Sequence, residues 1–280
     1  MKKKISTGLL IFLIIYTVVG IINAIYFVPK DTAEVTKGLA NRWIVQFSDT
    51  KAWYTRINPL TLIMSWAIII GLIIFAVRVG KNFKVIPDRK QALSESVMDF
   101  MYEVVESVID DPKFVKPTFM IATTLFIYIS IANVIGGAIP GINVSVVDGH
   151  VKFTLFQDTW FSPTADLNTN LTYALMVFVI SHAFAIKAKG FGGWLKSWME
   201  PTPIMLPMNI IGELAKPISH SLRLFGNIGG GAILTFMLSY LVKYLFMPVV
   251  FWGYFGMFVG LVQALVFSML AVAYISEKIS

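Results

Sequence analysis

Residues 221–231 read SLRLFGNIGGG and set an arginine, Arg223, and an asparagine, Asn227, one helical turn apart within a long apolar stretch. On a helix Gly226, Asn227 and Gly230 share the arginine's face, a nearly flat strip beside a guanidinium. A cation within hydrocarbon costs on the order of 3 kcal/mol on insertion scales. It therefore demands a counter-charge, a water-filled cavity or a route to the interface. Reaching back toward Lys216 is the simplest route if the helix begins near Pro217. A start nearer Pro203 leaves Arg223 deep. A second strip follows, in which Gly253, Gly256 and Gly260 lead at helical spacing to Gln263, an amide deep in an uncharged run. Small residues let a neighbouring helix approach closely, and packing of the two strips on each other is the plainer use of the glycines alone.

Further polar groups stand at other membrane positions. The segment SPTADLNTN places Asp166, Asn168 and Asn170 at the head of an apolar run, where Ser, Thr and Asp also serve as helix caps. Glu213 and His220 flank the arginine block, and His182 lies in the preceding span. Both histidines read as hydrogen-bonded interior groups. The sequence brings no metal-ligand cluster and no nucleophile and base onto one predicted face, which argues against an enzyme. With no cysteine there are no disulfides, thiolate sites or cysteine nucleophiles.

The elements that carry these residues belong to a membrane protein. Of 280 residues 56% are hydrophobic and 14% charged, far from the balance of an ordinary soluble domain. An uncharged run of about 20 residues crosses the bilayer as a helix, and about six membrane-embedded helices are expected. The whole chain, 1–280, reads as one all-α polytopic membrane domain. A retained N-terminal span covers 5–28, and a polar connection with Trp43 and Trp53 follows at 29–58. The middle spans and an amphipathic helix occupy 59–186, with spans near 59–77, 118–139 and 167–186. A C-terminal helix hairpin covers 203–276; its last run, 244–276, is long enough to tilt steeply or break near Pro248.

Between residues 87 and 110 Leu93, Val97, Met101, Val104 and Val108 recur at helical spacing opposite Glu95, Asp99, Glu103 and Glu106, an amphipathic interfacial helix. The stretches 144–147 and 151–155 suggest a short β-hairpin. Lys187, Lys189, GFGG and WLKSW form a basic, aromatic interfacial connection. The net charge of +7 is spread over connections beside the spans, so it reads as topology and attraction to membrane lipid, with no nucleic-acid partner. Seven Lys or Arg lie in 78–116 and three in 187–202, against Lys152 alone in 140–166. This distribution places both chain ends in the cytoplasm, although 29–58, with five basic residues, fits that orientation poorly.

The run ELAKPISHSLRLFGNI at 213–228, with LVQALVFSMLAVAYIS near the C-terminus, PTADLNTNLTYAL at 163–175 and KAKGFGGW at 187–194, closely resembles the a subunit of bacterial F-type ATP synthases. The resemblance covers most of the chain. It implies a non-catalytic stator in the membrane Fo sector, multi-pass in the bacterial inner (plasma) membrane, facing a ring of c subunits beside the b-subunit peripheral stalk and the remaining synthase subunits. Two offset half-channels would pass the coupling ion, H+ or Na+, to and from the ring, with no cofactor beyond that ion.

By the same resemblance Arg223 meets the ring's carboxylates, Asn227 and Gln263 support it, and Asn168 lines the outer channel; Asn209, Glu213 and His220 are further half-channel candidates. Two departures stand out. Ala232 occupies the place where many relatives carry a glutamate, and Gly256 a place where some carry a histidine, which leaves room for sodium coupling. The alternative from another class is a stand-alone secondary transporter whose Arg223 binds an anionic substrate. It would require a substrate site within this chain, and no internal repeat is present to supply one.

Overall fold

The computed structural model describes residues 59–81, 84–138, 162–200, 202–241 and 252–280, together with Val18 and the short stretches 45–46, 56–57, 140–147 and 150–159. The expected span 5–28, most of the 29–58 connection and Pro248 lie outside the described residues. Four stretches among those described are long and apolar enough to cross a membrane: Thr61–Lys81, Pro112–Gly136, Leu167–Ser197 and Tyr254–Ile279. A fifth long helix, of 36 residues, carries Glu213, Lys216 and Arg223. The protein is an all-helical, multi-pass membrane protein whose connections add two small antiparallel strand pairs.

Strands β1 (Val45–Gln46) and β2 (Arg56–Ile57) make a minimal antiparallel pair. Helix α1 (Pro59–Lys81) then runs past the expected end of its span and closes on Arg78 and Lys81. Only a tenth of it is buried: Ile68 packs inward, while Ile63, Trp66, Ile70 and Ile73 face out. An apolar helix with an exposed apolar face is matched to lipid rather than water.

Helix α2 (Arg89–Val108) confirms the amphipathic segment but corrects its face. Met101, Val105 and Ile109 are buried, whereas Leu93 and Val108, expected on the same side, are exposed. The reason is that the helix has two apolar surroundings. One stripe packs on the bundle, and Leu93, Met98, Phe100 and Tyr102 lie outside it.

Helix α3 (Pro112–Ala138) begins earlier than expected and runs through Pro117. A proline this close to the N-terminus forfeits one ladder bond, to the carbonyl of Lys113, and membrane helices tolerate such a loss. The hairpin β3 (Pro140–Val147) and β4 (His150–Thr159) follows, longer than the sequence indicates, with Val147 opposite His150. Asp148 and Gly149 between them are residue types favoured in two-residue hairpin connections.

A single 3-10 turn at Pro163–Ala165 leads into α4 (Leu167–Ser197), and Asp166 caps it by accepting from the Asn168 backbone N–H at 3.0 Å. The helix bends at Gly190, whose φ of 74° is one that residues with a side chain rarely adopt. The bend falls within the expected basic connection, which opens at Lys187, and Phe191 to Ser197 form a separate helical stretch beyond it. Helix α5 (Leu206–Leu241) follows another 3-10 turn at Pro203–Met205. The described part of the last span is a π-helix over Trp252–Val259 and continues as α6 (Gly260–Ile279).

α6 is the axis of the bundle. It contributes Ala264, Phe267 and Ala271 to one apolar cluster, with Ile129, Ala132, Val177, Leu224 and Ile228, and Val272 and Ile275 to the other, with Met101 and Val105. Between helices in lipid such contact is driven by close packing rather than by water exclusion, so small residues matter. Gly136 is the sharpest case: a Cβ there would lie 2.1 Å from the Ser162 Cβ and 2.3 Å from its Cα. Gly136→Ala must displace backbone, so it is expected to cost about 1–3 kcal/mol. The check is a lower melting temperature of the purified protein against wild type.

Candidate functional site

Because α5 starts at Leu206, Arg223 lies about 26 Å along it at 1.5 Å per residue, close to its midpoint. The helix therefore has the earlier of the two starts weighed from sequence, well before Pro217. Arg223, Gly226, Asn227 and Gly230 are all exposed along one side, and a Cβ at either glycine would meet nothing within 4 Å. No carboxylate among the described residues pairs with Arg223. The opposite side of the same turns, His220, Ser221, Leu224 and Ile228, is buried. The bundle thus fixes the helix from behind and leaves a guanidinium on an open, flat strip.

The second glycine strip behaves differently. Gly256, Gly260 and Gln263 are buried, and a Cβ at Gly260 would come 2.9 Å from the Asn133 Cβ on α3. These glycines serve packing within the chain, and Gly253 lies among residues whose side chains are not described. One hydrogen bond joins the two strips: Asn227 Nδ2 donates to Gln263 Oε1 at 2.6 Å. Of the three residues singled out from sequence, Asn227 and Gln263 therefore meet, one helical turn along α5 from Arg223. The Gln263 Nε2 is buried without a partner among the described residues.

Two polar clusters lie at opposite ends of the bundle. At the end that carries the β3–β4 hairpin, Asn133 is fully buried; it donates to the Gly260 carbonyl at 2.8 Å and accepts from the Thr164 hydroxyl. Ser162 Oγ accepts from the Thr164 backbone N–H at 3.3 Å and donates to the Ala132 carbonyl, and Asn170 Nδ2 donates to the Thr164 carbonyl at 2.7 Å. Asp166 receives the Thr61 hydroxyl at 3.3 Å. Asn168 is exposed in the first turn of α4, so the candidate nearest this end faces outward and is not spent on the cluster.

At the other end Glu213 is the hub. Its Oε1 is 2.7 Å from both Lys216 Nζ and Lys278 Nζ, and Lys216 reaches Glu277 at 2.6 Å. Its Oε2 lies 3.6 Å from His182 Nε2, an electrostatic approach beyond hydrogen-bond length. The bend at Gly190 brings Trp194 and Trp198 over the histidine: Trp194 Nε1 donates to His182 Nδ1 at 3.1 Å, and Trp198 stacks on the ring. Lys278 lies 5.9 Å from the Trp198 ring centroid, a cation over an aromatic face. A small cleft beside the hub is lined by Ser181, Glu213, Lys216, Pro217, Tyr274 and Lys278.

The remaining sequence candidates separate from this hub. Asn209 uses its amide to hold the carbonyls of Trp198 and Glu200, at 2.9 and 3.0 Å, closing the turn between α4 and α5. His220 is fully buried with its ring centroid 3.7 Å from that of Phe267. Lys278, Trp194, Trp198, Asn133 and Thr164 were not singled out from sequence. The i,i+3 spacing of Glu213 and Lys216 was a legible signal for part of the hub. Nothing local announced the rest, since its members are far apart in the chain.

Comparison with known proteins gives consistent findings. The family described as ATP synthase A chain matches residues 60–276. ATP synthase subunit a, sodium ion specific, of Propionigenium modestum is 35% identical over 221 residues, covering 79% of this chain and 74% of the relative. ATP synthase subunit a of Bacillus subtilis (strain 168) is 32% identical over 238 residues, covering 80% and 93%. That of Desulforamulus reducens is 36% identical over 228 residues, covering 79% of each chain.

Proposed function

The chain belongs to the ATP synthase A chain family, the membrane-embedded ion-channel subunit of ATP synthase, and from that membership we propose that it acts as the stator against which a ring of c subunits turns. The observation that carries the reading is the placement of Arg223: midway along α5, exposed, without a carboxylate partner among the described residues, on a strip kept flat by Gly226 and Gly230. The counter-charge comes from the ring. A fixed guanidinium favours the deprotonated, ion-free form of each ring carboxylate that passes it. Arginine suits the task because it does not give up its proton and presents a planar fork.

Two half-channels, each reaching only to mid-membrane, open on either side of Arg223. Asn168 stands at the mouth of one; Glu213 marks the approach to the other, with Asn209 and His220 as further candidates elsewhere on α5. An ion crossing must board the ring, travel round and leave, since Arg223 bars the direct path between the half-channels. About 2.3 kcal/mol per elementary charge per 100 mV is thereby turned into a sideways bias on rotation. The chain supplies no catalytic group and no cofactor; its partners are the c ring, the b-subunit stalk and the rest of the synthase, in the bacterial plasma membrane.

The coupling ion is H+ or Na+, and one experiment addresses both partner and ion. The chain is purified under mild detergent, reconstituted, and driven with separate proton and sodium gradients. ATP synthesis that follows one gradient, from a preparation containing c ring and stalk, is the expected result. An active preparation of this chain alone, transporting an anion, would overturn the reading.

A further inference from the structure

We infer that Asn133 is a positioning residue for the Arg223 strip: it pins the point where the last span changes helical step and so sets where Gln263, Asn227 and Arg223 stand. The inference rests on the role proposed above for that strip. The last span winds as a π-helix over Trp252–Val259 and as an α-helix from Gly260. A π-helix turns less per residue than an α-helix, so the length of the π stretch decides the side on which Gln263 emerges. Asn133 acts at the junction. Its Nδ2 donates to the carbonyl of Gly260 itself, and its Cβ fills the space that a Gly260 Cβ would need.

The other end of the Asn133 amide is equally committed. Thr164 donates to Oδ1, and Thr164 is held in turn by Ser162 and by Asn170 of α4. A continuous line of contacts runs from the head of α4 through α3 to Gly260, on to Gln263 three residues later, across to Asn227 at 2.6 Å, and one turn back along α5 to Arg223. Pi-helical turns in otherwise α-helical spans concentrate at functional sites, and this one is anchored by a buried, fully used side chain. Lengthening or shortening the π stretch would carry Gln263 away from Asn227 and turn the strip.

The test separates positioning from general support of the fold. Because the chain has no cysteine, the pair Gly231→Cys and Phe255→Cys forms a clean reporter: a Cβ at 231 would lie 3.2 Å from the Phe255 Cβ. In the reconstituted synthase, Asn133→Leu is expected to lower the ratio of ATP-driven pumping to ATP hydrolysis at least tenfold. In the reporter background it is expected to slow disulfide formation at least fivefold.

Thr164→Val should act in the same direction and Thr164→Ser, which keeps the hydroxyl, should be close to wild type. An assembled Asn133→Leu complex that pumps normally overturns the inference. Lost pumping with unchanged disulfide formation also overturns it, since Asn133 would then act other than through geometry. If Asn133→Leu does not assemble, the threonine pair decides, and identical behaviour of the two substitutions sinks the idea. Arg223→Ala run alongside isolates the premise: normal pumping there defeats the role of the strip, while the disulfide rate still reports whether Asn133 sets the geometry.

Discussion

Arg223→Ala is expected to leave the subunit folded and assembled while reducing ATP-driven ion pumping by about a hundredfold or more. Both halves follow from the placement of the side chain. Arg223 is exposed on α5 and pairs with no described carboxylate, so its loss removes no internal tie and relieves a charge that hydrocarbon disfavours by about 3 kcal/mol. An opposite charge within about 4–6 Å lowers a carboxylate's pKa by about 1–3 units, so its loss is worth about one to three decades in how strongly the site prefers an ion-free carboxylate in front of it. Passive ion leak across the membrane should rise, because Arg223 is the bar proposed between the half-channels. Arg223→Lys should recover little, since an ammonium lacks the planar fork and deprotonates when desolvated. The measurement is pumping in proteoliposomes normalised to recovered complex; a normally pumping Arg223→Ala complex would defeat the assignment.

Glu213→Ala is expected to act in the opposite way, on stability first. The Glu213 side chain is 10% exposed and its Oε1 serves two ammonium groups at 2.7 Å. Removing the carboxylate leaves Lys216 with Glu277, but leaves Lys278 with no described carboxylate partner and only the Trp198 face. Breaking a buried pair from one side costs about 3–5 kcal/mol, and partial exposure of the lysines reduces this to about 2–3 kcal/mol. The loss should appear as a lower melting temperature of the purified complex and a lower yield. Lys278→Met in the same background should restore part of it, because it removes the stranded charge. A Glu213→Ala protein as stable as wild type would show that the hub contributes nothing net.

These two residues also illustrate what could and could not be read from the sequence. Arg223 announced itself because a charge in an apolar run is anomalous wherever the helix begins; its place midway along the helix did not, since that depended on a start at Leu206 that proline spacing left open. Glu213 was visible, but its hub draws on positions 182, 213, 216, 277 and 278, and nothing in local spacing links the first, second and last of these. The two glycine strips look alike as text. They differ in the fold because a missing side chain serves packing inside the bundle at Gly260 and open clearance at Gly226 and Gly230.

The α2 face was misjudged for a related reason: periodicity counts apolar residues and does not say whether protein or lipid lies opposite them. Leu93 and Val108 are as apolar as Met101 and face away from the bundle. The π stretch had no signature at all, because helical step is set by partners such as Asn133 that lie more than a hundred residues away. By contrast the four described spans, the connection that opens at Lys187 and the hairpin were legible, because length, hydropathy and turn chemistry are local properties.

The way α5 is fastened has a mechanical consequence. Glu213 ties the helix to α6 at one point, and Gly231 seats against Phe255 at another. Arg223 lies between them, ten residues from the first and eight from the second. A rod clamped on both sides of a load deflects far less than one held at a single end. A sideways pull on the guanidinium is therefore shared between two anchors and passed into the last span, whose α6 portion touches both apolar clusters. The recoil of a turning neighbour would be absorbed by the whole bundle, and the charge would stay where it was put.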